Sequence, residues 1–288
     1  MRIVPMKQML IDARDGGYAI GAFEFWSLDS ARAVTQAAQA LRVPVILQIG
    51  KYEVEYLNNY KNAAHIARIC ADDADIPVAL HLDHGESIEQ VKYAIDAGFS
   101  SVMIDSSGSP YDENVETTRK VVELAKPYAI TVEAELGVLA GTEGAMSRSE
   151  AEATQTTPEE AARFVADTNV DILAVAIGTA HGFYNYVPEI NIERLKKIAA
   201  VVSLPIVLHG GSGTPDSAVR QAIDNGVAKI NICTEFIAAF GKAYVNSQAS
   251  DGFKYNVPNL FGCAEKAGYD LAYKKMEWFL NGKTAKIT

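Results

Sequence analysis

Eight times between residues 18 and 248, a short apolar, β-branched run is followed by a stretch of helical period, and the order never breaks. Apolar runs of about four to eight residues suit strands buried on both faces, and spacing at three and four residues suits helices with one buried stripe. Strict alternation of the two predicts a parallel sheet, because neighbouring parallel strands need a crossover that a helix can supply. Strands are expected at 18–25, 44–49, 78–83, 101–105, 131–136, 172–177, 205–209 and 228–232, with an extra C-terminal helix at 259–281. Pro44, Pro77 and Pro205 stand just before strands, while Gly98 and Gly226 follow helical segments where a left-handed cap is wanted. Eight such units close into an α/β barrel, the (β/α)8 TIM barrel. An open doubly wound sheet usually has fewer strands, and its Gly-x-Gly-x-x-Gly turn after the first strand is absent. No linker divides the chain, so residues 1–288 are read as a single barrel domain.

Composition narrows the function. The 288 residues are 49% hydrophobic and 22% charged, as expected of a folded globular protein. With 36 acidic and 26 basic side chains the formal charge is −10, the wrong sign for attachment to nucleic acid or to an anionic membrane. Cys70, Cys233 and Cys263 are odd in number and lie far apart, which argues against a disulfide framework and fits a reducing cytoplasm. No apolar stretch approaches the roughly 20 residues of a membrane span.

The connection after the fifth strand, from about Gly137 to Thr156, is unusually long and also carries Gly141 and Gly144. On a barrel it would lie over the C-terminal face, where active sites of this fold are built, and could move as a lid. Three of the five histidines fall at that face: His84 after the third strand, His181 after the sixth and His209 at the end of the seventh. Three converging imidazoles make a tridentate site with an open position, the arrangement of a catalytic zinc. Spacing alone leaves local capping or packing as the alternative. His81, inside the third strand, and His65, in the second helix, are read as core packing and surface solvation.

Five local sequences then follow in order over nearly the whole chain: His-Leu-Asp-His-Gly (81–85), Val-Glu-Ala-Glu-Leu-Gly (132–137), Ala-Ile-Gly-Thr-Ala-His-Gly (176–182), Leu-His-Gly-Gly-Ser-Gly (208–213) and Lys-Ile-Asn-Ile-Cys-Thr-Glu (229–235). Together they resemble the class II, zinc-dependent ketose-bisphosphate aldolases, which include fructose- and tagatose-1,6-bisphosphate aldolases. The resemblance implies one zinc per chain on His84, His181 and His209, with Asp83 as proton donor and acceptor at the fourth-carbon oxygen of the sugar. It makes Glu135 the carboxylate that orients a zinc ligand or approaches the metal, with Glu133 on the same strand face. Glu143 becomes the mobile carboxylate that moves the proton on the dihydroxyacetone phosphate carbon. Gly182, Gly210, Gly211, Ser212 and the Asn231–Thr234 segment would embrace the phosphate, with a monovalent cation nearby, and Asn231 would also bond the enediolate. A sugar-phosphate substrate and a homodimer or homotetramer are implied as well. The chemistry agrees, since cleavage between carbons three and four needs a base at the fourth-carbon hydroxyl and a Lewis acid at the carbonyl. In a net-acidic chain an anion must be held by backbone N–H groups and by the dipole of a helix opening near Thr214–Pro215.

Departures from the family pattern cluster where substrate would be touched. Phe23-Glu24 replaces the usual Phe-Asn, Gly50 a serine, Asn185 a lysine and Glu143-Gly144 a Glu-Asp pair, while Asp251-Gly252-Phe253 replaces Asp-Pro-Arg. Loss of that arginine, which binds the far phosphate in relatives, points to an aldehyde product without a terminal phosphate. The alternative is that Lys254 serves instead. Three rival functions are an epimerase using the same zinc and enediolate, a non-catalytic sugar-phosphate-binding subunit, and a Schiff-base aldolase built on Lys229.

Overall fold

The computed structural model describes residues 3–137, 155–180, 182, 188–249 and 256–287. Its strands are β1 (Ile20–Glu24), β2 (Val45–Ile49), β3 (Val78–Gly85), β4 (Ser101–Ile104), β5 (Thr131–Leu136), β6 (Ile172–Val175), β7 (Ile206–Leu208) and β8 (Val227–Ile232). Each pairs in parallel with the next and β8 pairs with β1, closing a (β/α)8 barrel in chain order. Pro44 and Pro205 lie just outside β2 and β7 because proline has no N–H for the ladder, so pairing starts one residue later. The expected start of β1 at residue 18 is too early. Tyr18 N–H donates to Ala13 O and Ala19 N–H to Phe279 O, which ties this stretch to helices rather than to the sheet.

The helices are α1 (Met6–Gly16), α2 (Leu28–Leu41), α3 (Lys51–Tyr56), α4 (Tyr60–Asp72), α5 (Ile88–Ala97), α6 (Tyr111–Ala125), α7 (Pro158–Thr168), α8 (Ile192–Val201), α9 (Asp216–Ile223), α10 (Thr234–Gln248) and α11 (Cys263–Phe279). Helix α1, ahead of the first strand, is an addition to the expected order; it buries Met6, Met9, Leu10 and Ala13 and packs on β8. The C-terminal helix expected at 259–281 is instead a π-helical turn at Pro258–Gly262 continued by α11. Helix α11 lies against α2 and α10. Ser27 starts α2 with reciprocal bonds: its Oγ accepts the Ser30 N–H, and Ser30 Oγ accepts the Ser27 N–H. No helix among the described residues is long and apolar enough to cross a membrane.

Register brings polar side chains together across neighbouring strands. Glu24 on β1 is opposite Gln48 on β2, Gln48 is opposite His81 on β3, and His81 is opposite Ser101 on β4. Glu24, Gln48, His81, Asp83, Glu133, Glu135, Lys229 and Asn231 are all buried. Buried polar groups of this kind persist only in a network of bonds.

Candidate active site

Side chains alternate along a strand, so Asp83 shares a face with His81 while Leu82 and His84 belong to the other. His84 escapes that rule. It lies within β3 rather than past its end, its φ of 45° is left-handed, and the β3–β4 register shifts between Leu82 and Gly85. A non-glycine residue at such a φ carries strain that the surrounding structure must hold. The result is that Asp83 and His84, adjacent in sequence, both line one cavity.

His84 Nδ1 is 2.7 Å from Asp105 Oδ2, and Asp105 Oδ1 accepts the Ser107 N–H and hydroxyl. His209, the residue after β7, has Nε2 2.9 Å from Glu133 Oε1. Each carboxylate fixes the ring proton on the nitrogen it faces. The other two nitrogens, His84 Nε2 and His209 Nδ1, then point at each other across 3.0 Å. Two lone pairs in that position repel unless a cation or a proton sits between them. Asp83 Oδ2 is 4.0 Å from His84 Nε2 and Glu135 Oε2 is 3.8 Å from His209 Nδ1. Asp83, His84 and His209 thus offer converging ligand atoms of the types that zinc takes.

The field around these rings favours positive charge. Burial works against a charged His84, yet Asp83, Asp105 and Glu135 outweigh it and push its pKa up to about 10. Burial likewise opposes ionisation of Asp105, but the bond to His84, the charge of that ring and the two Ser107 bonds together outweigh it and hold this carboxyl well below the ordinary range. Below them, Lys229 Nζ lies 2.9 Å from Glu133 Oε2, wholly buried, so its amine is engaged in an ion pair rather than presented to a carbonyl. His81, expected as core packing, is buried with Nδ1 3.1 Å from Ser101 Oγ; burial first, and then Lys229, keep it neutral.

Asp83 is held from two sides. Gln48 Nε2 donates to its Oδ2 at 2.9 Å, and Asn231 Nδ2 approaches Oδ1 at 3.1 Å and Oδ2 at 3.3 Å. The cavity has a volume of about 340 Å³ and runs from Glu24, Gln48 and Glu53 past Asp83 and His84 to Gly182, Gly210, Ser212 and Thr234. Thr234 opens α10, so the positive end of a 15-residue helix faces this end. Gly211 is off the wall: its N–H donates to Asn231 O at 3.2 Å, and a Cβ there would stand 2.8 Å from that same oxygen. Glycine at 211 permits a close backbone approach that shapes the turn. A larger cavity of about 800 Å³, near the opposite strand ends between α1 and α6, is lined by no imidazole.

His181, Glu143, Asn185, Phe253 and Lys254 lie outside the described residues. Asp105 and Gln48 were missed by sequence reasoning. The signal for Asp105 was a carboxylate at the C-terminal end of a barrel strand, and for Gln48 an amide within an otherwise apolar run.

Imidazoles aimed at one point, braced by carboxylates beside an aspartate at the C-terminal rim of a (β/α)8 barrel, define a class: enzymes that combine a bound cation with proton transfer at a carbonyl substrate. Within that class the chain belongs to the class-II fructose-bisphosphate aldolase family, whose model matches residues 4–283. A fructose-bisphosphate aldolase of Staphylococcus epidermidis is 39% identical over 288 residues, covering 99% of this chain and 100% of that protein. One from Geobacillus stearothermophilus is 38% identical over 289 residues, with the same coverage of 99% and 100%. Among solved structures, the YdjI aldolase of Escherichia coli K12 superposes with a TM-score of 0.87 at 34% identity, over 99% of this chain and 100% of that one. The protein is therefore a carbon–carbon lyase that cleaves a ketose phosphate or bisphosphate to dihydroxyacetone phosphate and an aldehyde, the family reaction. Zinc dependence is general to the family, and the described residues include a cluster able to hold a metal.

Proposed function

We propose that His84, His181 and His209 hold one zinc per chain and that Asp83 carries the proton at the fourth-carbon hydroxyl. The observation that carries this reading is the facing pair of imidazole nitrogens 3.0 Å apart, each ring braced from behind by a carboxylate, with Asp83 alongside. When bound, the zinc supplies a Lewis acid at the carbonyl oxygen. Asp83 accepts the hydroxyl proton, the bond between carbons three and four breaks, and its electron pair passes to carbon three as the enediolate forms. Asn231 steadies Asp83 through its amide and bonds the enediolate oxygen as the family resemblance implies. Glu143 returns a proton to carbon three, completing dihydroxyacetone phosphate. Gly182, Gly210, Ser212 and Thr234 receive the phosphate at the helix end, and Gly211 holds the turn in shape. Glu135 orients His209 or approaches the metal.

Closure of all eight strands in chain order supports reading residues 1–288 as one domain. Exposed Val245, Val257 and Phe261 support a homodimer or homotetramer. The net charge of −10 and the scattered cysteines support a cytoplasmic enzyme free of nucleic acid and membrane. The family resemblance supports a monovalent cation by the phosphate.

The test is product analysis with ketose phosphates. Dihydroxyacetone phosphate should be released, and Asp83→Ala should retain zinc yet slow release by about a hundredfold or more. An epimerase would release none, and near-normal turnover in the variant would remove Asp83 from this role.

A further inference from the structure

Away from Ser212 and Thr234, the cavity wall is built by β1, β2 and α3. Glu24 is buried there; its Oε1 accepts the Gly50 N–H at 2.6 Å and its Oε2 accepts the Gln48 amide at 3.1 Å. The Glu53 side chain hydrogen-bonds Glu24. The two carboxyls flank Gly50, whose missing Cβ would stand 3.3 Å from Glu53 Oε2 and 3.4 Å from Glu24 Oε1. Burial first, then the charges of Glu53 and Asp83, hold the Glu24 carboxyl well above its ordinary range. Two carboxyls brought together out of water favour sharing a proton over carrying two charges.

Gln48 gives a second, independent sign. Its Nε2 donates to Glu24 on one side and Asp83 on the other, which fixes the amide orientation. Oε1 is then buried with no hydrogen-bond partner among the described residues, in a side chain that lines the cavity. A buried acceptor without a donor is costly, so a ligand that brings one is favoured. Sugar hydroxyls donate as well as accept, whereas a phosphate dianion only accepts. Lys51 is the one lysine or arginine among the described residues lining the cavity, and it is engaged with Glu86 at 3.0 and 3.3 Å. A second phosphate here would face carboxyls and an occupied cation.

We infer that Glu24, Glu53 and the Gln48 carbonyl make this end of the cavity a receptor for an uncharged, polyhydroxylated aldehyde chain, and that the carboxyl pair discriminates against an aldehyde bearing a terminal phosphate. The inference rests on the proposed cleavage at Asp83. Because Gln48 joins that aspartate to this wall, the carbons beyond the fourth lie against it.

The experiment compares kcat/KM for a ketose 1-phosphate and the 1,6-bisphosphate of matched stereochemistry, in the wild type and in the double variant Glu24→Gln with Glu53→Gln. The ratio is independent of the active fraction, so a partly folded sample still reports it. Should the double variant fail to fold, Glu53→Gln alone, half-buried, is measured the same way. Wild type is expected to favour the 1-phosphate by about tenfold or more, and loss of the pair to move the ratio about tenfold toward the bisphosphate. A wild-type preference for the bisphosphate, or an unmoved ratio in the variant, would overturn the inference. Exchange of a dihydroxyacetone phosphate carbon hydrogen with D2O by the wild type separates the two levels. Exchange with an unmoved ratio defeats the discriminating pair alone, whereas absence of both exchange and cleavage defeats the aldol reading and the inference with it.

Discussion

A histidine ring binds a divalent cation through one nitrogen and is aimed by whatever its other nitrogen donates to. Asp105 does this for His84, and although its place at the end of a barrel strand is visible in the sequence, the ring it braces is not, because it lies 21 residues away and reaches 2.7 Å only when β4 closes against β3. Asp83 and His84, by contrast, sit in a motif of adjacent residues and were legible from sequence. Glu133 was noticed only as sharing a face with Glu135, and its bond to His209 depends on the registers that bring β5 and the end of β7 together. Asp105→Asn is expected to weaken zinc binding by about 10–100-fold, measured by competition with a chromophoric chelator; undiminished affinity would strip Asp105 of its role. The pH dependence has a definite sign. In the metal-free protein His84 keeps its proton until about pH 10, so zinc must displace it. Apparent affinity should therefore rise with pH by about tenfold per unit between roughly 7 and 9. The same raised pKa stabilises the metal-free fold fully below roughly 6.5, the ordinary histidine value, a contribution lost as pH climbs through about 10.

Elements were read from period, and they were found where period is unambiguous. The expected 131–136 run coincides with β5 (Thr131–Leu136), although Glu133 and Glu135 interrupt its apolar character, because Val132, Ala134 and Leu136 alternate with them on the other face. Strand β3 runs two residues beyond its expected end because the bulge at Leu82–Gly85 keeps pairing after the left-handed turn at His84. Helix α1 went unread although residues 6, 9, 10 and 13 have helical spacing, since it precedes the first βα unit and belongs to none. The C-terminal helix α11 depends on one close approach that composition does not reveal: a Cβ at Gly268 would overlap the Phe240 ring. That ring is locked edge-to-face against Trp26 and Phe236, each 5.1 Å away between centroids, and cannot step aside. Gly268→Ala should therefore cost about 1–3 kcal/mol, seen as a lower denaturant midpoint at unchanged m-value. A variant as stable as the parent would contradict this packing.

Across the whole molecule, barrel closure gathers Glu24 from β1, Asp83 and His84 from β3 and Asn231 from β8 around one cavity, with His209 after β7 set 3.0 Å from His84, though 207 residues of sequence separate Glu24 from Asn231. The five motifs made the reaction class legible because each places its chemistry at the C-terminal end of a strand. The aldehyde end was less legible. The Glu24 substitution stood out in the sequence, but its pairing with Glu53 beside Gly50 exists only once the fold brings the start of α3 to the end of β1. Metal dependence is the property on which the site turns, and a zinc titration tests it. The purified protein is stripped with a chelator, zinc is returned stepwise, and dihydroxyacetone phosphate release is followed against bound metal. Release should vanish on stripping and return in proportion to zinc, levelling at about one ion per chain. Full turnover by the metal-free protein would contradict a cation at His84 and His209 as the agent of cleavage.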